Sequence, residues 1–115
     1  MAKVTEIRLN KNKSELEVSF DDKFSGKLSS ELLRVESPSA EVQGHAPNQK
    51  KTPSGKSNIK IENIEPVGNY AIAIKFDDGH STGIFSWDYL RKLSENKNTL
   101  WGNYLKRIKD LKLSR

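Results

Sequence analysis

The chain of 115 residues contains no cysteine, only two histidines and a single methionine. Without cysteine, it cannot form a disulfide, a thiolate nucleophile or a cysteine-bound metal cluster from its own residues. It also has no hydrophobic run of the length that a signal peptide or a membrane span requires, and apolar residues make up only 34% of it. We therefore expect a soluble, cytoplasmic protein that does not enter a membrane.

Signatures of common enzymes are also missing. The sequence has no P-loop, no dinucleotide-binding glycine pattern and no Gly-x-Ser-x-Gly elbow, and its histidines, His45 and His80, lie on different segments. Adjacent acids occur at Asp21-Asp22 and Asp77-Asp78, but neighbours on an extended chain point to opposite faces, and acidic pairs are typical of turns. The sequence therefore predicts neither a catalytic site nor a cofactor.

What the sequence does contain is an internal repeat. Residues 20–34 read FDDKFSGKLSSELLR, and residues 76–91 read FDDGHSTGIFSWDYLR. Alternating apolar residues precede each copy. This alternation, followed by an acidic turn and a serine-led apolar segment, predicts a strand, a turn, a second strand and a helix in each copy. A repeated unit of this kind favours one domain in which two units share a core.

We therefore predict an α+β fold with two related strand-turn-strand-helix units and a C-terminal amphipathic helix. Within a single domain of residues 1–115, unit one covers about 4–36, a long loop about 37–58, unit two about 59–95 and the last helix about 99–112. Ser29 or Ser30, Ser86 and Thr99 are placed to cap the three helices. The last helix is expected to dock through an apolar stripe of Leu100, Trp101, Tyr104, Leu105, Ile108 and Leu111.

The segment from Leu33 to Val42, together with His80 after Asp-Asp-Gly, resembles the N-terminal domain of gamma-butyrobetaine hydroxylase and related carnitine-pathway oxygenases. Both Leu-Arg segments and the stretch Trp-Asp-Tyr-Leu at 87–90 add to the resemblance, which covers about residues 5–93 and extends to short standalone bacterial proteins. In the oxygenases the matching stretch reads Leu-Arg-x-x-Cys-Pro-Cys-x-x-Cys. The resemblance implies that its three cysteines and the histidine form a structural zinc site in those proteins.

This chain departs from that pattern at the metal ligands. Ser37, Ser39 and Val42 stand at the cysteine positions, and only His80 matches a ligand. Two hydroxyls and a valine cannot replace the donors of a tetrahedral structural zinc, so we expect no metal here. We expect instead that Ser37 and Ser39 hydrogen-bond the loop and that Val42 packs into its apolar floor. The oxygenase iron site, with two histidines and a carboxylate, is not carried over either.

The favoured hypothesis is a non-catalytic accessory or protein-interaction domain, which the resemblance places beside oxygenase or iron–sulfur systems. Its candidate binding residues are Arg34, Ser37, Ser39, Glu41, Gly44, His45 and His80. Arg34 leads into the Ser-Pro-Ser turn, where its guanidinium can bond loop carbonyls. We expect residues 37–45 to be ordered near His80 and residues 48–57 to be mobile, since the latter have no apolar anchor.

A first alternative is nucleic-acid binding. The net charge of +5 is concentrated in the loop lysines Lys50, Lys51, Lys56 and Lys60 and in residues 91–115. These cations could neutralise phosphates, and such an affinity falls steeply with salt.

A second alternative is a small-ligand or metal-binding protein that uses His45 and His80 together with Arg34 or Arg91. The distance between the two imidazoles distinguishes this hypothesis from the others.

Overall fold

In the computed structural model, residues 3–44 and 52–115 are described. They form two three-stranded antiparallel sheets, ordered β1-β2-β3 and β4-β5-β6, together with helices. The elements are β1 Val4–Leu9, β2 Glu15–Phe20, β3 Ser25–Ser29, α1 Ser30–Val35, α2 Ala40–Gln43, β4 Ile61–Val67, β5 Ala71–Phe76, β6 Ile84–Ser86, α3 Trp87–Glu95 and α4 Lys97–Asp110. The predicted α+β fold is confirmed.

The two units share one topology. Unit one runs from β1 to α1 and unit two from β4 to α3, each as three strands followed by a helix. Ser29 caps α1 by accepting the amide of Leu32, and Ser86 caps α3 by accepting the amide of Tyr89, both over 3.1 Å. Such a cap satisfies a first-turn amide that has no partner within the helix. The repeat therefore reproduces the same local hydrogen bonds twice.

The acidic turns of the two units form the same hydrogen bond. The Asp22 carboxylate accepts the amide of Phe24 over 3.2 Å, and the Asp78 carboxylate accepts the amide of His80 over 3.1 Å. His80 is thus the counterpart of Phe24. Unit two has a histidine where unit one has an aromatic hydrocarbon ring.

Both units contribute to one hydrophobic core. Helix α3 of unit two packs on strand β3 of unit one, where Gly26 lies so close to Ser94 that a Cβ would collide with it. The fully buried side chains come from both units and from α4, and include Leu16, Val18, Leu28, Leu33, Val35, Ile61, Ile74, Phe76, Phe85, Leu90 and Tyr104.

The structure differs from prediction in the loop and at α4. The short helix α2 lies within the segment predicted as loop, and α4 begins at Lys97, so Thr99 lies inside the helix and does not cap it. Asn96 alone separates α3 from α4. Its amide donates to the Lys92 carbonyl of α3, and its carbonyl accepts the Leu100 amide of α4, so α4 begins directly after α3.

The apolar stripe of α4 is only partly buried. Tyr104 and Ile108 are buried, and Leu100 and Trp101 pack partly buried against the core, whereas Leu105 and Leu111 are exposed. Over residues 3–44 and 52–115, no helix combines the length and apolar character needed to span a bilayer.

Candidate functional site

His80 is the centre of a buried polar network. The Oγ of Ser37 lies 2.9 Å from His80 Nε2, and a carboxylate oxygen of Glu41 lies 2.9 Å from Nδ1. A carboxylate only accepts, so Nδ1 carries the ring proton and Nε2 accepts from the Ser37 hydroxyl. The two contacts therefore fix both the tautomer and the orientation of the imidazole.

Further hydrogen bonds hold the Ser37 loop, residues 37–44, against unit two. The hydroxyls of Ser39 and Thr82 lie 2.6 Å apart, and Ser39 Oγ also accepts the amide of Glu41 over 3.2 Å. Gln43 donates from its side-chain amide to the Ser37 carbonyl over 2.9 Å. Val42, which lies on α2 within this loop, is also buried. Both serines therefore form hydrogen bonds within the loop or from the loop to unit two.

Charged groups surround the network on one side. Arg34 donates from Nε to Asp78 over 2.9 Å, and Lys56 donates to the same carboxylate oxygen over 2.7 Å. Arg34 therefore bonds the acidic turn of unit two, because that turn brings a carboxylate within its reach. Within residues 37–44 and 52–58 it donates to none of the loop carbonyls that we expected. Its Nη1 is buried and has no acceptor within residues 3–44 and 52–115.

These contacts shift two pKa values. Burial, followed by the positive charge of Arg34, lowers the pKa of His80, although Glu41 and Asp78 oppose the shift. Burial would raise the pKa of Asp78, but hydrogen bonds from Lys56, the His80 amide and Arg34 outweigh it and lower this pKa to about 2. At neutral pH the site therefore holds a neutral imidazole beside an ionised, doubly paired carboxylate.

Ser37, His80 and Glu41 have the contacts of a serine-histidine-acid triad, which the sequence did not reveal. A nucleophile needs room for a substrate carbonyl, however, and Ser37 is 0% exposed. Gly83 closes over it so tightly that a Cβ there would collide with the Ser37 hydroxyl. The geometry is that of a structural hydrogen-bond network with no access for an acyl substrate.

A metal is not favoured by the donor set either. In the described part of the chain, no group of three or more histidine, aspartate or glutamate side chains converges as a metal site would require. Ser37 and His80 stand at two of the zinc-ligand positions that the resemblance implies, and here a hydrogen bond joins them directly.

Five of the predicted site residues come together around the network, namely Arg34, Ser37, Ser39, Glu41 and His80. Gly44 follows α2 with a φ of 71°, a left-handed conformation that favours glycine. His45 lies outside the described residues. Arg91 lies elsewhere, because it pairs with Asp22 in the turn of unit one.

The segment from 52 to 56 is anchored, which the sequence did not predict. Thr52 accepts a hydrogen bond from Arg107 over 3.1 Å, and the Gly55 amide donates to the Ser114 carbonyl over 2.7 Å. The bond from Lys56 to Asp78 adds a third anchor. Polar contacts from distant residues thus replace the missing apolar anchor.

Two basic side chains near the C-terminus pair with buried acids. Arg115 donates twice to the buried Glu31, over 2.8 and 3.1 Å, and Arg107 donates to the buried Glu36 over 3.3 Å. Carboxylates are ordinarily exposed, so sequence reasoning missed both acids. The only signal for them was the excess of basic residues near the end of the chain.

Comparison with known proteins shows the class of this domain. The model of the family described as "Gamma-butyrobetaine hydroxylase-like, N-terminal" matches residues 7–91. The chain belongs to that family, which confirms the resemblance seen in the sequence.

Solved structures agree with this assignment. Two structures determined by NMR in solution are 48% and 41% identical to this chain, each with a TM-score of 0.85; both alignments cover 100% of this chain, and they cover 86% and 90% of the other chains. A crystal structure of a protein of unknown function from Acidithiobacillus ferrooxidans, a member of the DUF971 family, is 37% identical with a TM-score of 0.67, over 80% of this chain and 92% of that one. Among curated proteins, none matches.

Proposed function

We propose that this chain is a non-catalytic accessory domain that binds another protein, and that it acts beside oxygenase or iron–sulfur systems. The observation that supports this most is the presentation of Glu41. Its carboxylate is held by the buried His80, yet its side chain remains 61% exposed. An exposed charge that is already held in place loses little conformational entropy when a partner binds it.

The surrounding geometry fits recognition better than chemistry. The side chain that would act as nucleophile, Ser37, is closed off, and its hydrogen bond to His80 stabilises the loop. The Ser37 loop then presents α2 as a fixed surface with Glu41 in its first turn. We infer that a basic group of the partner pairs with this carboxylate.

The test is capture of partners by the tagged full-length chain, with identification by mass spectrometry. Glu41→Gln removes the charge but keeps an oxygen that can accept from His80, so the fold should be preserved. Glu62→Gln is the matched control, because Glu62 is a half-exposed acid on β4 that pairs with Lys75. A protein captured by the wild type and by Glu62→Gln, but not by Glu41→Gln, would support the proposal. Equal capture by all three would contradict it.

The nucleic-acid alternative receives less support. Arg107 and Arg115 pair with internal acids, so the last segment offers fewer cations to phosphate than its sequence suggests. A filter-binding titration with duplex DNA and with single-stranded RNA at increasing salt provides the comparison. Affinity with a steep salt dependence would favour this alternative over the protein-binding role.

A further inference from the structure

Helix α4 presents a basic face to solvent. Its residues follow one another at the spacing that places side chains on one side of a helix, and all are exposed. They are Gly102, Leu105, Lys106 and Lys109, with Lys112 directly after the helix. We call these five residues the α4 face. Tyr104 and Ile108, on the other side of α4, are buried in the core.

The lysines of the α4 face have no acidic partner within residues 3–44 and 52–115. In that part of the chain, the ion pairs of α4 and of the segment after it are those that Arg107 and Arg115 form with buried acids. Asp110 is the only acid from residue 97 to the end of the chain. Three positive charges therefore stand on this face beside a single negative one.

Exposed apolar surface is concentrated at the same place. Among the described residues, five large hydrophobic side chains are exposed, and three of them lie between positions 105 and 113. These are Leu105, Leu111 and Leu113, which alternate along the chain with the lysines. A contiguous patch of apolar and charged groups, in contrast to a single exposed leucine, is typical of an interaction site.

The end of the α4 face is held in one conformation. The Lys112 amide donates to the Lys109 carbonyl over 3.1 Å, and the Leu113 amide donates to the Ile108 carbonyl over 2.9 Å. This pair of bonds closes a helix through a residue in the left-handed conformation, which Lys112 adopts with a φ of 55°. A fixed backbone lowers the ordering cost when a partner binds the lysines.

Gly102 is a second, independent observation. It lies within α4, where its backbone is helical, and a Cβ added to it would meet no atom within 4 Å. Alanine would therefore fit and is the better helix former. Neither the backbone nor the packing of the described residues requires glycine here. A glycine at such a position lets the backbone of another chain approach closely.

We propose that the α4 face binds an acidic amphipathic helix of a partner protein. Carboxylates of the partner would pair with the three lysines, and its apolar side chains would lie on Leu105. Gly102 would let the two helix axes approach to about 8 Å, the lower end of the range for packed helices. The inference rests on the proposed function only in that it requires a protein partner, since the surface differs from that of Glu41.

A protein helix fits this face better than a lipid surface or a nucleic acid does. Segments that recognise anionic lipids carry about four to eight basic residues, and a bilayer gains nothing from a glycine. Phosphates could meet the lysines, but the face has no aromatic side chain on which a base could stack. The exposed leucines and Gly102 are explained by a helix that also carries apolar residues.

The test uses the full-length chain labelled with nitrogen-15. The probes are acetylated and amidated peptides of about 18 residues, long enough to form a helix, with leucines along one side of an alanine background and glutamates beside them. One reference peptide replaces the glutamates by lysines, and another has the same composition with the glutamates spread around the helix. The amide resonance of Gly102 reports on occupancy, and that of Gly79, in the turn of unit two, is the internal control.

We expect the one-sided acidic peptide to shift Gly102, Leu105 and Lys109 and to leave Gly79 unchanged. The double variant Lys106→Gln with Lys109→Gln should weaken this binding about fivefold, as the loss of two exposed charge pairs would. Lys11→Gln with Lys60→Gln is the matched control, because it removes the same charge at exposed positions outside α4 and should bind as the wild type does.

Gly102→Gln separates binding from folding. Glutamine is the better helix former, so the variant should have a higher thermal midpoint than the wild type. Its longer side chain should nevertheless weaken binding about tenfold, because it prevents close approach of the partner backbone. Binding as tight as in the wild type would contradict a helix packed against Gly102.

Several other results would overturn the inference. These are equal binding of the lysine peptide, no shift at Gly102 with any peptide, and an unchanged affinity in the double lysine variant. A shift of Gly102 with phosphatidylserine vesicles or duplex DNA, but not with the acidic peptide, would assign the face to lipid or nucleic acid. A shift with protein concentration alone would assign it to a second copy of the chain.

The two proposals can fail separately. Glu41→Gln should bind the acidic peptide as the wild type does, because Glu41 lies outside the α4 face. If the peptides fail while partner capture still depends on Glu41, the proposed function stands without this helix site. If the peptides bind and capture does not depend on Glu41, only the α4 face remains as a protein-binding surface.

Discussion

Arg34 at the end of unit one's helix donates from Nε to the Asp78 carboxylate of unit two over 2.9 Å. The reciprocal contact joins Arg91 at the corresponding position of α3 to Asp22 in unit one, over 3.0 Å. The helix of each unit thus carries, at the same position, an arginine that reaches the acidic turn of the other unit. Arg91 also lies over the ring of Phe24, 4.0 Å from its centre, as expected of a cation–π contact.

These two pairs should differ in strength. The side chains of Arg34 and Asp78 are only 13% and 21% exposed, against 23% and 47% for Arg91 and Asp22. We expect a coupling energy of about 1.5–3 kcal/mol for the first pair, as for a shielded hydrogen bond between charged groups. The second pair is more open to solvent, which screens it, so its coupling should be weaker than that of the first.

Double-mutant cycles in urea denaturation measure both couplings. Arg34→Met with Asp78→Asn forms the first cycle, and Arg91→Met with Asp22→Asn forms the second. A second coupling equal to or larger than the first would show that burial does not distinguish the two pairs.

The sequence predicts those features that depend on neighbouring residues. The caps at Ser29 and Ser86 and the turns at Asp22 and Asp78 follow from short patterns, and all four form as such patterns dictate. The burial of Glu31 did not follow from any short pattern. It depends on an arginine 84 positions away, which only the tertiary fold brings near.

Some members of the network were candidates from the sequence, but their bonding was not predictable, and neither were Thr82, Asp78 and Lys56 as members. Ser37, Glu41 and His80 were all candidates, but their order as hydroxyl, imidazole and carboxylate depends on how α2 forms inside a segment that reads as loop. A four-residue helix is too short for a periodic pattern to reveal. The contact between Arg34 and Asp78, which spans 44 positions, was likewise invisible to local reasoning.

Ser37→Ala should destabilise the fold. The substitution removes the hydroxyl that donates to His80 Nε2 and leaves a buried acceptor without a partner. We expect the free energy of unfolding to fall by about 1–3 kcal/mol. Ser81→Ala, at an exposed position beside the histidine, should change it by less than about 0.5 kcal/mol. Chemical denaturation of both variants makes the comparison, and equal effects would mean that the network adds no stability.

His80 should make stability depend on pH. Burial and Arg34 lower its pKa below the ordinary value of 6.5, so the unfolded chain binds the proton more tightly. The resulting stability is fully present above pH 6.5 and is lost as the pH falls through the folded-state pKa. The stability that the ionised Asp78 contributes is lost at lower pH, between about pH 3.8 and pH 2.

Two measurements check this dependence. A proton NMR titration should give one histidine resonance with a midpoint below 6.5, assigned through its absence in His80→Gln. The same variant should show a smaller fall in the free energy of unfolding just below pH 6.5. A His80 midpoint above 6.5 would mean that Glu41 and Asp78 dominate over burial.

Amide exchange should separate the parts of the long connection. The amides of Val42 and Gln43 both donate to the Ser39 carbonyl, and the Gly55 amide donates to the Ser114 carbonyl. We expect slow exchange at all three, and faster exchange at Gly55 in Arg107→Ala, which frees Thr52 from α4. Exchange at the unprotected rate at Val42 and Gln43 in the wild type would remove the fixed surface on which the protein-binding proposal depends.

Introducing cysteines at positions 37, 39 and 42 should turn the network into a metal site. Ser37 Oγ lies 2.9 Å from His80 Nε2, so a thiolate at position 37 could share one zinc ion with the imidazole at ordinary ligand distances. The wild type has serines and a valine there, and a chelator should leave its thermal midpoint unchanged. The triple variant Ser37→Cys, Ser39→Cys, Val42→Cys should bind one zinc, and chelation should lower its midpoint.

Adding His80→Ala to the triple variant removes one ligand and should weaken the site sharply. Elemental analysis with paired thermal melts tests both expectations. Stoichiometric zinc in the wild type would show that the chain binds the metal without these cysteines, and no zinc in the triple variant would show that these four positions do not form the site that the family resemblance implies.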